Sequence, residues 1–296
     1  MTELVGWAHP VLPEGPLSVL DHTYVTSTDG MSWGCWADAE GGREICRGPG
    51  DQRIADCLSQ PWGTASIVYA ATGVCHQTAN RILRPSRRTV CQAQGYAVSW
   101  ALYGPYGHSA SAPFLDPVVY AWKSQEAICG VWDSDPDPVW LAANARPDPY
   151  FEAVSAAHAA MVKAGQQNRA TEQEAGDEVS RAELDALVSN RIVTGLAAAK
   201  VDSIARSRRD MLAELQKPLL LGFPDRSSIA DAADRANRLV NDLLASAAQS
   251  LTVDEFKSLF DVAPGTRVVV ARPKIVQDWA AGRLQGMMVT KPPRTA

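Results

Sequence analysis

The chain has 296 residues, of which 46% are hydrophobic and 21% charged, the balance of an ordinary globular protein. This composition excludes a largely disordered chain, a collagen-like fibre and a simple coiled coil. Lys and Arg number 28 against 33 Asp and Glu, so the net charge is −5, and bulk binding to nucleic acid is not expected. No apolar run reaches the ~18 residues of a membrane span, and the N-terminus lacks the pattern of a secretory signal. We therefore expect a cytoplasmic protein.

The first half of the chain predicts short strands mixed with helices. β-branched and aromatic residues over 23–26 predict a strand, and Asp29-Gly30 predicts a tight turn into a returning strand over 31–37. The elements predicted after this hairpin are a helix over 54–59, a β-prone run over 64–70, a helix over 74–83, and strands over 90–103, 117–122 and 127–132. All six cysteines and eight of the nine tryptophans lie in this half, and we expect most of the cysteines to be small buried hydrophobic residues.

The second half predicts mainly helices. Repeated Asp-Pro and Arg-Pro pairs over 133–149 predict an extended connector, because a residue before proline disfavours the helical conformation. The predicted elements after it are a helix over 149–163 capped by Asp148, an amphipathic pattern over 178–216 interrupted near Gly195, a helix over 228–251, a capping box at 252–255, and a β-prone stretch over 268–271. We therefore predict an α+β domain over 1–145 and an all-α domain or extension over 148–296.

The segment around Cys75 carries the strongest signal for chemistry. A β-prone run ends at a Thr-Gly turn, and a helical pattern begins directly after it. Thr72 is therefore the predicted N-cap, and Cys75 lies in the first helical turn. Unpaired N–H groups and the helix dipole stabilise a thiolate there, which predicts a lowered thiol pKa. The same N–H groups can hold the oxyanion that forms when a thiolate attacks a carbonyl. Cys91, in strand-like text, is the competing nucleophile.

A nucleophilic cysteine also needs an imidazole to take its proton and deliver it to the leaving group. His76 adjoins Cys75 in sequence, but neighbours on a helix point about 100° apart, so it is a poor base for this thiol. His22 opens the first strand of the predicted hairpin and is the candidate base. A tight turn would pair it with Ala37, which makes Asp38 the first choice for the group that orients the imidazole. The alternatives for that orienting role are Asp21 and Ser32.

This arrangement resembles the circularly permuted papain-like families, which include lecithin:retinol acyltransferase and NlpC-type peptidases. The histidine precedes the cysteine by some fifty residues, and Val74-Cys75-His76-Gln77 is similar to the Asn-Cys-Glu-His-Phe helix start of the family. Val74 stands where the family has Asn, and His76 falls one place early. The resemblance covers roughly residues 20–90. It implies a papain-like domain with a short antiparallel sheet and a nucleophile-bearing helix, acting as a cysteine hydrolase or acyltransferase through a thioester on Cys75.

The expected substrate is a peptide or a small amide or ester, with Trp36, Gln77 and Tyr103 assigned to its binding and with no metal or cofactor. The helical half could bind a protein partner or mediate self-association. The alternative from a different class is a non-catalytic binding or scaffold protein whose helical half forms the interaction surface. A metal site built on Cys75 and His76 is a third reading, which no ligand spacing supports. Phosphate-loop, dinucleotide, serine-hydrolase and zincin motifs do not occur.

Overall fold

A computed structural model describes residues 2–10, 20–34, 41–60, 64–107, 128–131, 148–166, 172–216 and 231–281. The chain is of the α+β class: a small antiparallel sheet near the N-terminus is followed mostly by helices, which confirms the predicted class. The sheet has four strands in the order β3-β2-β1-β4. The strands are β1 (Glu3–Pro10), β2 (Asp21–Ser27), β3 (Ser32–Gly34) and β4 (Arg43–Pro49).

The described helices follow the sheet along the chain. They are α1 (Gln52–Ser59), α2 (Cys75–Ile82), a 3₁₀ turn (Arg84–Ser86), α3 (Tyr96–Tyr103), α4 (Pro149–Gln166), α5 (Glu172–Arg191), α6 (Ala198–Gln216), α7 (Ala232–Ser250), α8 (Val253–Phe260) and α9 (Pro273–Ala280). None of these helices combines the length and the apolar character that crossing a membrane requires.

The predicted hairpin is present as β2 and β3, joined at Asp29-Gly30. Gly30 has a φ of +93°, a conformation that glycine adopts without steric cost. The observed register pairs Val25 with Trp33, which is shifted by one residue from the predicted pairing of His22 with Ala37. Ala37 and Asp38 lie outside the described residues, so the register is compared over residues 24–26 and 32–34 alone. On its other side β2 pairs with β1, which the sequence did not predict.

Two runs predicted as β structure are wrong. The second part of the run 90–103 is the helix α3, which begins after Gly95 at a φ of +75°. All eight residues of α3 are buried, so the helix has no polar face. Without that face, its sequence shows no helical periodicity that would distinguish it from a buried strand. The run 64–70 forms turns instead of a strand, with positive φ at Ala65, Ser66 and Ala70.

The last β predictions of the first half also fail or cannot be compared. Within the predicted strand 127–132, Ile128 is helical and residues 129–131 form a turn. The predicted strand 117–122 lies outside the described residues, as does the connector over 133–147. The domain boundary near residue 145 therefore stays a prediction.

The helical half forms as the sequence predicts. The carboxylate of Asp148 accepts from the N–H groups of Tyr150 and Phe151, and so caps α4. The long amphipathic pattern is divided into α5 and α6 at Gly195, where φ is +68°. The predicted capping box is present at Thr252, whose hydroxyl accepts from the N–H of Glu255.

The apolar faces of these helices are covered within the chain. Helix α6 packs on α7, and α3 from the first half lies against α6, α7 and α8. Arg208 of α6 is fully buried at this junction: its guanidinium lies 4.2 Å from the centroid of the Trp100 ring, and its Nε donates to the Ala101 carbonyl at 2.9 Å. The two halves of the chain thus share one buried core.

A disulfide joins Cys57 of α1 to Cys129, with the two Cα atoms 5.7 Å apart and 72 residues apart in sequence. The bond is not predictable from the sequence, because no spacing of cysteines along the chain reveals which of them meet in space. The free cysteines among the described residues are Cys46, Cys75 and Cys91.

Candidate functional site

Helix α2 is buried along its whole length, although most of its side chains are polar. Asn80 illustrates how these side chains are satisfied. Its Nδ2 donates to the Pro105 carbonyl at 2.7 Å and to the Tyr96 hydroxyl at 3.0 Å, and its Oδ1 accepts from the N–H of Val90 at 2.8 Å. Arg81, also fully buried, donates to carbonyl groups of two loops. The helix therefore acts as a polar scaffold that holds the surrounding loops and fixes its own first residue.

That first residue is Cys75, and Val74 is the N-cap with extended backbone. The predicted N-cap, Thr72, instead accepts from the N–H of Val68 at 2.8 Å inside the preceding turn. The start of α2 is held by Gln77, whose Oε1 accepts from the N–H of Val74 at 3.1 Å and whose Nε2 donates to the Gly104 carbonyl at 2.9 Å. Gln77 is fully buried, so the amide assigned to substrate binding serves the helix start in this structure.

The sulfur of Cys75 lies against strand β2. Its Sγ is 3.9 Å from the carbonyl oxygen of Asp21, and the backbone N–H groups of Thr23 and His76 lie beside it. These donors lower the thiol pKa, as predicted for a helix start, but the side chain is only 7% exposed and burial outweighs them. Burial thus raises the pKa of Cys75. The prediction of a lowered thiol pKa is wrong, because desolvation disfavours the thiolate more than the N–H groups stabilise it.

His76 ties α2 to both β2 and α3. Its Nδ1 lies 2.7 Å from Ser99 Oγ, and its Nε2 lies 3.1 Å from the carbonyl oxygen of Asp21. Burial lowers the pKa of His76 to about 4, so the ring is neutral at pH 7. In that state Nε2–H donates to the Asp21 carbonyl and Nδ1 accepts from the Ser99 hydroxyl. The Asp21 carbonyl oxygen is thus approached both by His76 Nε2 and by the Cys75 sulfur. That His76 is not the base for the thiol stays a prediction.

His22 lies on β2 and is fully buried. Its ring is 5.1 Å from that of His9, its partner on β1, and 6.2 Å from that of Tyr24. Burial, followed by the charges of His9, His76 and Arg272, lowers the pKa of His22 to about 3. The two chain neighbours of His22 lie at Cys75, Asp21 through its carbonyl oxygen and Thr23 through its backbone, while the His22 ring itself packs on those of His9 and Tyr24.

The remaining predicted site residues are either buried in the fold or outside the described residues. Asp38 and Trp36 lie outside the described residues. The carboxylate of Asp21, an alternative for orienting the imidazole, bonds to Arg43 at 2.9 Å and accepts from the N–H of Gln94 at 2.9 Å. Tyr103, assigned to substrate binding, is fully buried, and its hydroxyl donates to the Ala70 carbonyl at 2.7 Å. Ser32, the other alternative, and Cys91, the competing nucleophile, are both buried.

A cavity of about 930 Å³ opens beside the Cys75 thiol. Cys75, Asp21 and Tyr69 form one end of it, and the rest is lined by α7 and by residues 265–275. The backbone N–H of Arg272 donates to the Tyr69 hydroxyl at 3.1 Å, which joins the C-terminal part of the lining to the Cys75 end. The cavity volume is in the range of small-molecule sites.

Two asparagines one turn apart on α7 hold the wall of this cavity. Asn241 pairs with both backbone groups of Val268, with its Oδ1 accepting at 2.9 Å and its Nδ2 donating at 2.8 Å. Asn237 accepts from the N–H groups of Val270 and Ala271 and donates to the Ala271 carbonyl at 2.7 Å. The β-prone stretch 268–271 thus finds its hydrogen-bond partners on a helix instead of in a sheet. The spacing of the two asparagines was the one sequence signal for this wall, and the sequence analysis missed it.

Among the described residues, no three His, Cys, Asp or Glu side chains are grouped closely enough to hold a metal ion. Comparison with protein-family models, with curated proteins and with solved structures gives no match for this chain. Its function is therefore argued from its own residues.

Proposed function

We propose that this protein is a cysteine-dependent hydrolase or acyltransferase of the papain-like type, with Cys75 as nucleophile and His22 as general base and acid. One observation carries the proposal: Cys75 lines the cavity as the first residue of a fixed helix, with backbone N–H groups beside its side chain. A thiol in that position can reach a carbonyl in the cavity while the N–H groups around it stabilise negative charge.

The protonation states favour proton transfer during attack over a preformed ion pair. Burial keeps both the Cys75 thiol and the His22 imidazole neutral at pH 7. His22 takes the thiol proton as the C–S bond forms and the carbonyl electrons move to the oxygen. The oxyanion then collapses, the amine or alcohol leaves with the proton from His22, and a thioester remains on Cys75. Water or another acceptor attacks this thioester and loses a proton to His22; the C–S bond then breaks, the acyl group is released, and the sulfur takes that proton from His22.

Asp38 stays the proposed orienting residue for His22, and Trp36 a proposed wall of the substrate site. The catalytic chemistry is assigned to the domain over 1–145. Helix α7 and residues 265–275 provide the opposite wall of the cavity, which gives the helical half a part in substrate binding.

The alternative, a scaffold with an interaction surface on the helical half, has less support. The large hydrophobic side chains exposed among the described residues lie on separate elements, and they are Ile128, Val193 and Val253. The apolar faces of α5, α6 and α7 are covered within the chain, so they present no broad apolar patch of the kind that marks an interaction site.

An acyl-transfer assay tests the proposal. The purified protein is incubated with p-nitrophenyl acetate, nitrophenol release is followed by absorbance, and the acetyl group is located by peptide mass spectrometry. We expect a burst of nitrophenol and a thioester on Cys75, both lost in Cys75→Ala and retained in the matched control Cys91→Ala. Absence of a thioester on Cys75 in a folded protein would contradict the proposal and favour the scaffold.

A further inference from the structure

The charged side chains of the cavity are divided between its two walls. On α7, Asp234, Arg238 and Asp242 follow one another at intervals of one helical turn, so their charges largely offset each other. At the Cys75 end, the carboxylate of Asp21 is already paired with Arg43. These two parts of the cavity therefore leave little uncompensated positive charge.

The wall formed by residues 265–275 is different, because its charged lining residues are all cationic: Arg267, Arg272 and Lys274. Lys274 is paired with Asp278 at 3.2 Å. Arg267 is exposed, and no ion pair or hydrogen bond of its side chain is found among the described residues. Positive charge is thus concentrated on one wall, while the backbone of that wall is fixed by Asn237 and Asn241.

This cationic wall reaches the reactive end of the cavity. The backbone of Arg272 is hydrogen-bonded to Tyr69, which lines the cavity together with Cys75. The charge of Arg272 is also the smallest of the contributions that lower the pKa of His22.

We propose that the cavity binds an acyl substrate that carries a carboxylate or another anionic group, held by Arg267 and Arg272 while its reactive carbonyl lies at Cys75. This inference rests on the proposed function and adds the charge of its substrate. Guanidinium groups suit the role because their planar donors match a carboxylate.

Charged thiol reagents test the inference without knowledge of the substrate. The anionic sulfonatoethyl and the cationic trimethylammonioethyl methanethiosulfonates are reacted separately with the native protein, and the rate at Cys75 is read by peptide mass spectrometry. The ratio of the two rates is compared with the ratio at free cysteine. We expect the anionic reagent to be favoured by about fivefold, because one uncompensated charge ~8 Å away in water attracts the anionic reagent and repels the cationic one. The preference should weaken at high salt.

Variants assign the effect to the wall. Arg267→Gln should reduce the preference at least twofold, while Arg206→Gln, an equal charge change on the exposed surface of α6, should leave it unchanged. Asp234→Asn should increase it. A ratio equal to that of free cysteine would overturn the anionic-substrate inference and leave Cys75 as the nucleophile. Failure of both reagents to modify Cys75 would overturn the proposed function and, with it, this inference.

Discussion

Mild acid is expected to destabilise this protein through two buried histidines. In the folded chain the pKa of His22 is lowered to about 3 and that of His76 to about 4, whereas both are ~6.5 in the unfolded chain. Above pH ~6.5 both states are neutral and stability does not depend on these residues. As the pH falls below ~6.5, the unfolded chain takes up protons that the folded chain does not, so the free energy of unfolding falls.

The magnitude follows from the two shifts. Each histidine lowers the free energy of unfolding by about 1.4 kcal/mol per pH unit while the pH lies between its folded and unfolded pKa values. Between pH ~6.5 and pH ~5 this amounts to about 2 kcal/mol for each residue and about 4 kcal/mol for the pair. The pKa values of Glu44 and Glu255 are also shifted, but both are lowered, so these carboxylates act mainly below this window.

The change in the free energy of unfolding with pH is measured by urea unfolding, followed by tryptophan fluorescence, at several pH values between about 7 and about 5. In His76→Gln the amide can still donate to the Asp21 carbonyl but cannot titrate, so we expect the slope to fall to about half. The substitution His22→Asn should have a similar effect. A wild-type stability that does not change across this window would refute the burial of neutral histidines at the site.

Three further predictions concern the supports of the site. Gln77→Ala leaves the Gly104 carbonyl and the Val74 N–H without partners, so we expect a loss of about 2–4 kcal/mol in urea unfolding with the KM for p-nitrophenyl acetate unchanged. A raised KM at full stability would return Gln77 to substrate binding. The double variant Asn237→Ala and Asn241→Ala should speed hydrogen exchange of residues 268–271 at least tenfold by mass spectrometry, and unchanged exchange would contradict the described wall. Replacing Cys57 and Cys129 by serine should cost roughly 4 kcal/mol for a loop of this length, whereas an unchanged urea midpoint in the double variant would argue against the bond.

The features predicted best from the sequence are those set by local chemistry. Asp29-Gly30 predicted the hairpin because the turn needs a residue that tolerates positive φ, and Gly30 supplies it. Asp148 and Thr252 predicted helix starts because their side chains satisfy backbone N–H groups within three residues. The start of α2 was predicted to within a few residues, although Val74 and not Thr72 is its N-cap.

The features that the sequence could not give depend on burial and on contacts between distant segments. Helix α3 lacks a polar face because it is enclosed on all sides, so its periodicity does not distinguish it from a strand. Because Cys75 lies at a helix start, its pKa was predicted to be lowered. The direction of the pKa shift is instead decided by desolvation, which depends on how β2 packs against α2. The cavity is formed between segments some two hundred residues apart, such as Tyr69 and Arg272.

The pH dependence of Cys75 acylation tests the nucleophile–base pair most directly. The rate of thioester formation from p-nitrophenyl acetate is measured at Cys75 for the wild type and for His22→Asn at several pH values from about 6.5 to about 8, where titration of the buried histidines does not change the stability. If a neutral thiol attacks with His22 accepting its proton, the wild-type rate is nearly constant across this range, and the variant is slower with a rate that rises with pH. A wild-type rate that rises about tenfold per pH unit, and that His22→Asn leaves unchanged, would show a thiolate acting without His22 and would contradict the account.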